Sequence, residues 1–349
     1  MRIRGVTGIA VAFGVAVVSW LAPGVAHIAA ASAAGSPSSS ESPIVSSSPT
    51  VIPIPSFFGG VFTPPTPSVP IHGAGVFVST GGGAFGGANF TLSVPAGFAE
   101  NGMAFLQVLA PATAAPRRFT VVLGVDITAA SGSFAKPISV LFPRDLLPPG
   151  WSGRAAVFNT STHPWKFAGE IVTPVGVSGQ VQGPGTYILA VNRRTFRDLS
   201  APTRAEEGLL AAGAIQGYPG GLFKPQALVS RAQVAAVLVR LAGLAPVEKA
   251  TFQDVSRKSW YAPYVGAMAK AGWMQGIRGR FDPNATLTMD QLAEIVVRWL
   301  DLPVQKGGSV QALEQAGILT TSVVQPKVAV TRAQLCTILY DALQFEGLA

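Results

Sequence analysis

The sequence has few of the residues from which catalytic and metal sites are built. It contains one cysteine and three histidines in 349 residues, and only 12 % of its residues are charged. A single cysteine excludes an intrachain disulfide, and Cys336 lies in an apolar stretch where we expect a small buried side chain. No paired-cysteine, HExxH, Gly-x-Ser-x-Gly or phosphate-loop motif is present. The sequence therefore predicts a protein that is not an enzyme and holds no metal or cofactor.

Acidic residues are scarcer than basic ones. The chain has 25 Lys and Arg against 17 Asp and Glu, which gives a formal net charge of +8. A basic balance favours an anionic partner. Because no nucleic-acid-binding motif is present and the chain looks exported, we expect an anionic polymer outside the cell and no nucleic acid.

The first 33 residues have the pattern of a secretory signal peptide. Arg2 and Arg4 precede an uncharged apolar run, and Ala31-Ser32-Ala33 supplies the small residues of a cleavage site. Cleavage after Ala26 and a retained membrane anchor are the alternatives. We expect cleavage, and no membrane attachment after it. Residues 34–72 are rich in Ser and Pro, which predicts an extended linker.

Residues 73–193 change character and predict an all-β sandwich. Short apolar runs alternate with turns rich in Gly, Pro and Asn, as at Phe90–Val94, Phe119–Val125 and Ile138–Phe142. Stretches such as 93–97 and 134–138 resemble the immunoglobulin-like or ZU5-like sandwiches of bacterial surface proteins.

The acidic residues of this β region are few and scattered. They are Glu100, Asp126, Asp145 and Glu170. Each lies near a predicted turn, so we expect all four on solvated loops. A glycosidase needs two carboxylates across one cleft, and this pattern does not supply them.

Residues 194–349 contain a threefold internal repeat, predicted at 194–246, 247–302 and 303–349. Ser-Arg-Ala-Gln at 230–233 returns as Thr-Met-Asp-Gln at 288–291 and as Thr-Arg-Ala-Gln at 331–334. Each is a capping box, in which the hydroxyl accepts from the third helical amide and the Gln side chain accepts from the cap amide. Each repeat therefore reads as helix, loop, helix, and the three should pack together.

Two of the three repeats carry an arginine at the first helical position, namely Arg231 and Arg332. A cation is mildly unfavourable there because the helix dipole already places positive charge at this end. Free amides beside a guanidinium predict a site for a carboxylate or phosphate. The alternative is that these arginines reach solvent or pair with a nearby Asp. Met289 replaces the arginine in the second repeat.

The repeats resemble S-layer homology (SLH) repeats. The resemblance rests on Phe196-Arg197-Asp198 and Phe252-Gln253-Asp254 as openings, on Gly217-Tyr218, and on the helix-start motifs. It covers about residues 194–349, with a degenerate third repeat. It implies an all-α, three-repeat helical pseudo-trimer that follows the β-sandwich, with one helix of each repeat in a central bundle.

The resemblance also implies a function. A secreted protein of this kind would bind an anionic secondary cell-wall polysaccharide that carries pyruvate ketals, and so would remain on the bacterial cell wall or S-layer. Arg231 and Arg332 would pair with the ketal carboxylate, and at most two grooves would work. The remaining predicted site residues would orient the groove, allow close approach or line the sugar: Asp198, Asp254, Gly217, Tyr218 and Trp260.

Two other functions fit the same sequence. The chain could be a structural subunit of an S-layer or envelope that self-associates through its sandwich. It could also be a wall-anchored enzyme whose catalytic residues form no motif. Lattice formation by the purified protein would favour the first alternative, and activity of residues 73–192 on a glycan or peptide would favour the second.

Overall fold

The structure is a computed structural model. It describes residues 76–78, 83–87, 89–97, 104–107, 118–129, 134–149, 151, 153–162, 164–247, 252–304, 306–319 and 325–349. The predicted signal peptide and linker lie outside these residues, as does Glu100. Within the described residues, no helix combines the length and the apolar composition that crossing a bilayer requires.

The β region forms two antiparallel sheets. One has six strands in the order β1-β4-β5-β11-β7-β8, and the other has five in the order β2-β3-β6-β10-β9. The strands of the first sheet are β1 Val76–Val78, β4 Ala104–Gln107, β5 Phe119–Ala129, β7 Ala155–Asn159, β8 Lys166–Gly169 and β11 Gly185–Asn192. Those of the second are β2 Gly83–Gly87, β3 Phe90–Val94, β6 Ile138–Pro143, β9 Ile171–Thr173 and β10 Gly176–Val181. A single 3-10 turn, Arg144–Leu146, follows β6.

The two sheets face each other across an apolar core, because strand residues of one parity point inward. In β3 the burial alternates residue by residue, and β6 repeats the pattern. Val125 and Tyr187 meet them from the six-stranded sheet. The predicted β-sandwich is therefore present, and the immunoglobulin-like character remains a prediction.

Strand β10 contains two glycines and is not predicted from the sequence. A close contact between the two sheets explains why glycine is present in this strand. A Cβ on Gly179 would come within 2.7 Å of the Val157 side chain on the facing sheet. Glycine is poor in strands unless another element approaches closely, and here one does.

Among the described residues, six helices follow the sheets. They are α1 Arg204–Ala211, α2 Arg231–Ala242, α3 Ala262–Lys270, α4 Met289–Trp299, α5 Gly308–Gln315 and α6 Arg332–Phe345. The three predicted capping boxes begin α2, α4 and α6, and a further one at Thr203 begins α1. Cys336 is fully buried on α6, as predicted, and burial raises the pKa of its thiol to about 12.

The outer face of the six-stranded sheet packs directly on the helices. Phe158 and Ile188 of the sheet share one apolar core with Leu209, Leu210 and Leu238 of the helices. The apolar core thus continues across the predicted boundary at residue 193, so the sheets and helices support each other.

Candidate functional site

A closed ring of backbone hydrogen bonds joins the three repeats just before their second helices. Val229 N donates to Val330 O at 2.9 Å, Val330 N donates to Leu287 O at 2.9 Å, and Leu287 N donates to Val229 O at 3.0 Å. Each of these residues precedes a helix start, so the ring fixes the three helix starts relative to one another.

The first two amides of α2, α4 and α6 are not free. Each donates at 2.9–3.0 Å to a carbonyl in the loop of a different repeat. The pairs are Arg231 to Ala285, Ala232 to Pro283, Met289 to Val328, Asp290 to Pro326, Arg332 to Ala227 and Ala333 to Pro225. The expectation of free amides at the helix starts is therefore wrong, and any anion site must rest on side chains.

Arg231 lies over the loop of the second repeat. Its Nε donates to Phe281 O at 2.7 Å, its Nη2 donates to Gln275 O at 3.0 Å, and its guanidinium lies 4.7 Å from the Phe281 ring centroid. Burial lowers the pKa of Arg231, and the carboxylates of Asp282 and Asp254 oppose that shift. We call Arg231, Asp254, Phe281 and Asp282 the loop-2 site. Its arginine is half-buried and retains a solvent-facing edge.

Arg332 lies over the equivalent loop of the first repeat, but it is only 4 % exposed. Its Nη2 donates to Gln216 O at 2.7 Å, and its guanidinium lies 5.0 Å from the Tyr218 ring centroid and 4.7 Å from that of Phe223. Its buried Nε has no hydrogen-bond partner among the described residues. We call Arg332, Asp198, Tyr218, Phe223 and Lys224 the loop-1 site.

The two aspartates organise the loops. Asp198 accepts from Phe223 N and Lys224 N, each at 2.7 Å, and Asp254 accepts from Phe281 N and Asp282 N, each at 2.8 Å. The hydrogen bond from Phe223 is the main cause that lowers the pKa of Asp198. These carboxylates therefore fold the loops beneath the arginines.

Lys224 is a site residue that the sequence analysis does not single out. Its Nζ lies 5.0 Å from the Tyr218 ring centroid, so Tyr218 has one cation at Lys224 and another at Arg332. The Tyr218 hydroxyl also accepts from Gln233 Nε2 at 3.1 Å. The available signal was the contrast between Phe-Lys-Pro at 223–225 and Phe-Asp-Pro at 281–283.

Gly217 has a packing role in the structure. A Cβ at this position would overlap the Phe196 ring, and a Cβ on the equivalent Gly276 would overlap Phe252. In the first two repeats the opening phenylalanine therefore occupies the space that Gly217 was expected to leave for a ligand. The close approach at Gly217 is made by the chain itself.

Trp260 is 57 % exposed, but its ring contacts lead away from both loop sites. Its ring centroid lies 5.4 Å from that of Tyr261 and 6.4 Å from that of Tyr264. Tyr264 in turn lies under Arg240, with 4.7 Å between guanidinium and ring centroid. Arg231 with Asp254, and Arg332 with Asp198, Gly217 and Tyr218, are thus brought together, whereas Trp260 belongs to another surface.

The start of α4, in the second repeat, carries Met289 in place of an arginine. Met289 is buried beside a small cavity of about 110 Å³, which is also lined by Gln325, Val328, Ala329 and Gln334. The charge that marks the other two helix starts is absent here.

Glu170 overturns the expectation that all four acids of the β region lie on solvated loops. It is fully buried, and Arg204 Nη1 lies 2.6 Å from its Oε1. Burial raises the pKa of its carboxyl to about 8, and the Arg204 guanidinium opposes that shift. Asp126 also departs from this expectation, because it lies within strand β5 and its Oδ1 is buried, whereas Asp145 is exposed as expected. In the described part of the chain, no group of three His, Cys, Asp or Glu side chains could hold a metal ion.

Comparison with known families decides what these loops are. The S-layer homology domain family matches residues 207–235 and 251–293. This part of the chain therefore contains S-layer homology repeats. The matched residues include the arginine of the loop-2 site and most of the two loops. The match ends at residue 293. The third repeat is therefore identified by its capping box and by its place in the ring of backbone hydrogen bonds.

Known relatives share this region. The S-layer protein sap of Bacillus anthracis is 27 % identical over 145 residues, which cover 40 % of this chain and 16 % of that protein. A cellulosome-anchoring protein of Acetivibrio thermocellus is 28 % identical over 93 residues, 25 % of this chain and 21 % of that protein. An amylopullulanase of Thermoanaerobacterium thermosulfurigenes is 24 % identical over 258 residues, 65 % of this chain and 14 % of that enzyme.

The chain spans about a fifth or less of the length of these three relatives. Its SLH repeats and its S-layer relatives identify it as a secreted surface protein bound to the bacterial cell wall or S-layer.

Proposed function

We propose that the SLH repeats anchor this protein non-covalently to an anionic secondary cell-wall polysaccharide that bears pyruvate ketals. The observation that carries the proposal is Arg231, which is half-buried, fixed by two loop carbonyls and open to solvent along one edge. A guanidinium held in this way loses little conformational freedom when it pairs with a carboxylate. The ketal supplies that carboxylate.

The loop-1 site contributes differently. Arg332 is too deeply buried to meet a ligand without displacing Tyr218 or Phe223. We assign it the role of holding these two rings in place. The exposed cation of this site is Lys224, which together with the face of Tyr218 would contact the polymer.

The remaining parts of the proposal concern architecture and chemistry. The ring through Val229, Leu287 and Val330 supports a pseudo-threefold arrangement of the repeats. With Met289 at the start of α4 in place of an arginine, at most two sites bind the polymer. We propose that the chain has no catalytic activity. We also propose that the β-sandwich is immunoglobulin-like and serves to support the repeats.

The test uses residues 34–349, because a fragment of the repeats alone would expose the apolar core that they share with the sheet. The protein is sedimented with purified wall sacks before and after mild acid removes the pyruvate ketals. We expect binding that disappears with the ketals. Binding that survives their complete removal would contradict the proposal.

Arg231→Gln serves as the site variant, with Arg257→Gln as the matched control. Both variants lose one positive charge, but Arg257 is exposed and lies outside both loop sites. We expect Arg231→Gln to weaken the affinity for the wall sacks by about tenfold, because it removes one charge-assisted hydrogen-bonded pair. Equal sedimentation of the two variants would contradict the role of Arg231.

A further inference from the structure

A large cavity lies between the β-sandwich and the first two repeats. Its volume is about 510 Å³, and it is lined by side chains from β5, β7, α2 and α3. This size falls in the range of ordinary ligand pockets. The cavity is distinct from the loop-1 and loop-2 sites, since none of the residues that define those sites lines it.

Gly213 shapes one wall of the cavity. It ends α1 with a φ of +65°, and a Cβ there would lie 2.6 Å from the Phe119 ring and 3.4 Å from Arg118 Nη2. At the equivalent Gly272 and Gly317 a Cβ would meet nothing within 4 Å. The first repeat therefore ends its opening helix against the sheet, in a contact that the other two repeats do not make.

Two arginines line the cavity, and none of its described lining residues is acidic. Arg118 is half-buried, and its Nε has no hydrogen-bond partner in the described part of the chain. Arg240 donates through Nη1 to Ala214 O at 3.3 Å. Burial lowers the pKa of Arg118, and the nearby guanidinium groups of Arg240 and Arg194 lower it further. An anion in the cavity would relieve this repulsion between guanidinium groups.

Aromatic rings form much of the remaining wall. Trp165 lies 6.0 Å from Phe119 and 5.9 Å from Phe158, measured between ring centroids, and Tyr264 lies on the opposite element α3. The exposed Trp260 adjoins Tyr264. Flat apolar faces beside guanidinium groups suit a ligand that has both a ring with C–H faces and a negative charge.

We propose that this junction cavity is a second binding site, which takes one anionic sugar unit. The charged group of the sugar pairs with Arg118 and Arg240, and its ring packs on Trp165. This cavity shares no defining residue with the loop sites, so a polymer held at Arg231 could also be held where the sandwich meets the repeats.

The experiment is a calorimetric titration of the chain from residue 34 with soluble probes. Methyl glucuronide and glucose 1-phosphate carry the sugar and a charge, methyl glucoside carries the sugar alone, and inorganic phosphate carries the charge alone. We expect one site per chain for a charged sugar that depends on Arg118, and binding of methyl glucoside and phosphate to it at least about tenfold weaker. The two charged probes distinguish a carboxylated from a phosphorylated sugar.

Arg118→Gln should weaken the affinity for the charged sugar by at least about tenfold, whereas Arg257→Gln should leave this affinity unchanged. Thermal unfolding checks that each variant is folded. If Arg118→Gln does not fold, the proposal is still tested on the unaltered protein by comparing its affinities for the charged sugars, the neutral sugar and phosphate. Failure of both charged sugars to bind, equal binding of the neutral sugar, or equal binding by Arg118→Gln would overturn the proposal.

Discussion

The loop-1 and loop-2 sites derive from the same sequence pattern but use their arginines in opposite ways. Arg332 lies over the rings of Tyr218 and Phe223 and is only 4 % exposed, whereas Arg231 lies over the Phe281 ring alone and is half-buried. The position of Tyr218 is taken in the second loop by Ile277, which is 76 % exposed and supplies no second ring to cover the arginine. One arginine therefore stabilises the fold, and the other remains available to a ligand.

The sandwich explains part of this difference. Helix α6 begins at Arg332 and ends at Phe345. Just beyond its end, Leu348 O accepts a hydrogen bond from Glu170 N at 2.6 Å. Glu170 also pairs with Arg204 of α1, and the Arg204 guanidinium lies 5.6 Å from the Tyr340 ring centroid of α6. The sheet thus braces the two helices that meet at the loop-1 site.

The largest expected effect is on stability. Arg332→Ala removes a buried hydrogen bond and two ring contacts, so we expect it to lower the free energy of unfolding by about 3 kcal/mol. Arg231→Ala, at a half-exposed position, should cost only about 1 kcal/mol. Urea unfolding of both variants checks this, with Arg257→Ala as the exposed control. Equal losses for Arg231→Ala and Arg332→Ala would show that the two sites are not different in kind.

The next effect concerns pH and the brace at Glu170. Its folded-state pKa is about 8, above the ordinary 4.5, so the folded protein binds this proton more tightly than the unfolded chain. Its contribution to stability is therefore full below pH 4.5 and is lost as the pH rises through 8. As the pH rises toward 8, we expect the unfolding free energy of the unaltered protein to fall relative to that of Glu170→Gln. The fall should be no more than about 1.4 kcal/mol per pH unit.

The measurement is urea unfolding of both proteins at several pH values between 5 and about 8.5. Asp145→Asn, at an exposed position, is the control and should follow the unaltered protein. A difference between Glu170→Gln and the unaltered protein that stays constant with pH would contradict the buried, titrating carboxyl.

The smallest effect is an exchange of charge between the loops. Lys224 and Asp282 occupy equivalent positions, with φ of 57° and 55°, so either side chain fits either loop. Lys224→Asp should weaken wall binding by about fivefold at low salt, and Asp282→Lys should strengthen it by a similar factor, about 1 kcal/mol each. Both effects should shrink in high salt because the charges are exposed. Effects of the same sign in both variants would contradict this account.

Much of the helical region could be predicted from sequence, because capping boxes and repeats are local patterns. Ser230, Thr288 and Thr331 begin helices where predicted. The use of the helix-start amides could not be predicted, since their partners lie in other repeats, as Ala227 does for Arg332. Glu170 was misplaced for the same reason: its burial depends on α1 and on the end of the chain, which no local pattern reveals.

The most direct test of the central claim is the affinity of a soluble pyruvate-ketal sugar for the unaltered protein and for Arg231→Gln. The methyl ester of the same sugar, which lacks the charge, is the matched ligand. The account predicts that Arg231→Gln weakens the acid by at least about tenfold and that the ester does not bind measurably. Equal affinity of the acid for both proteins would contradict anchoring through Arg231.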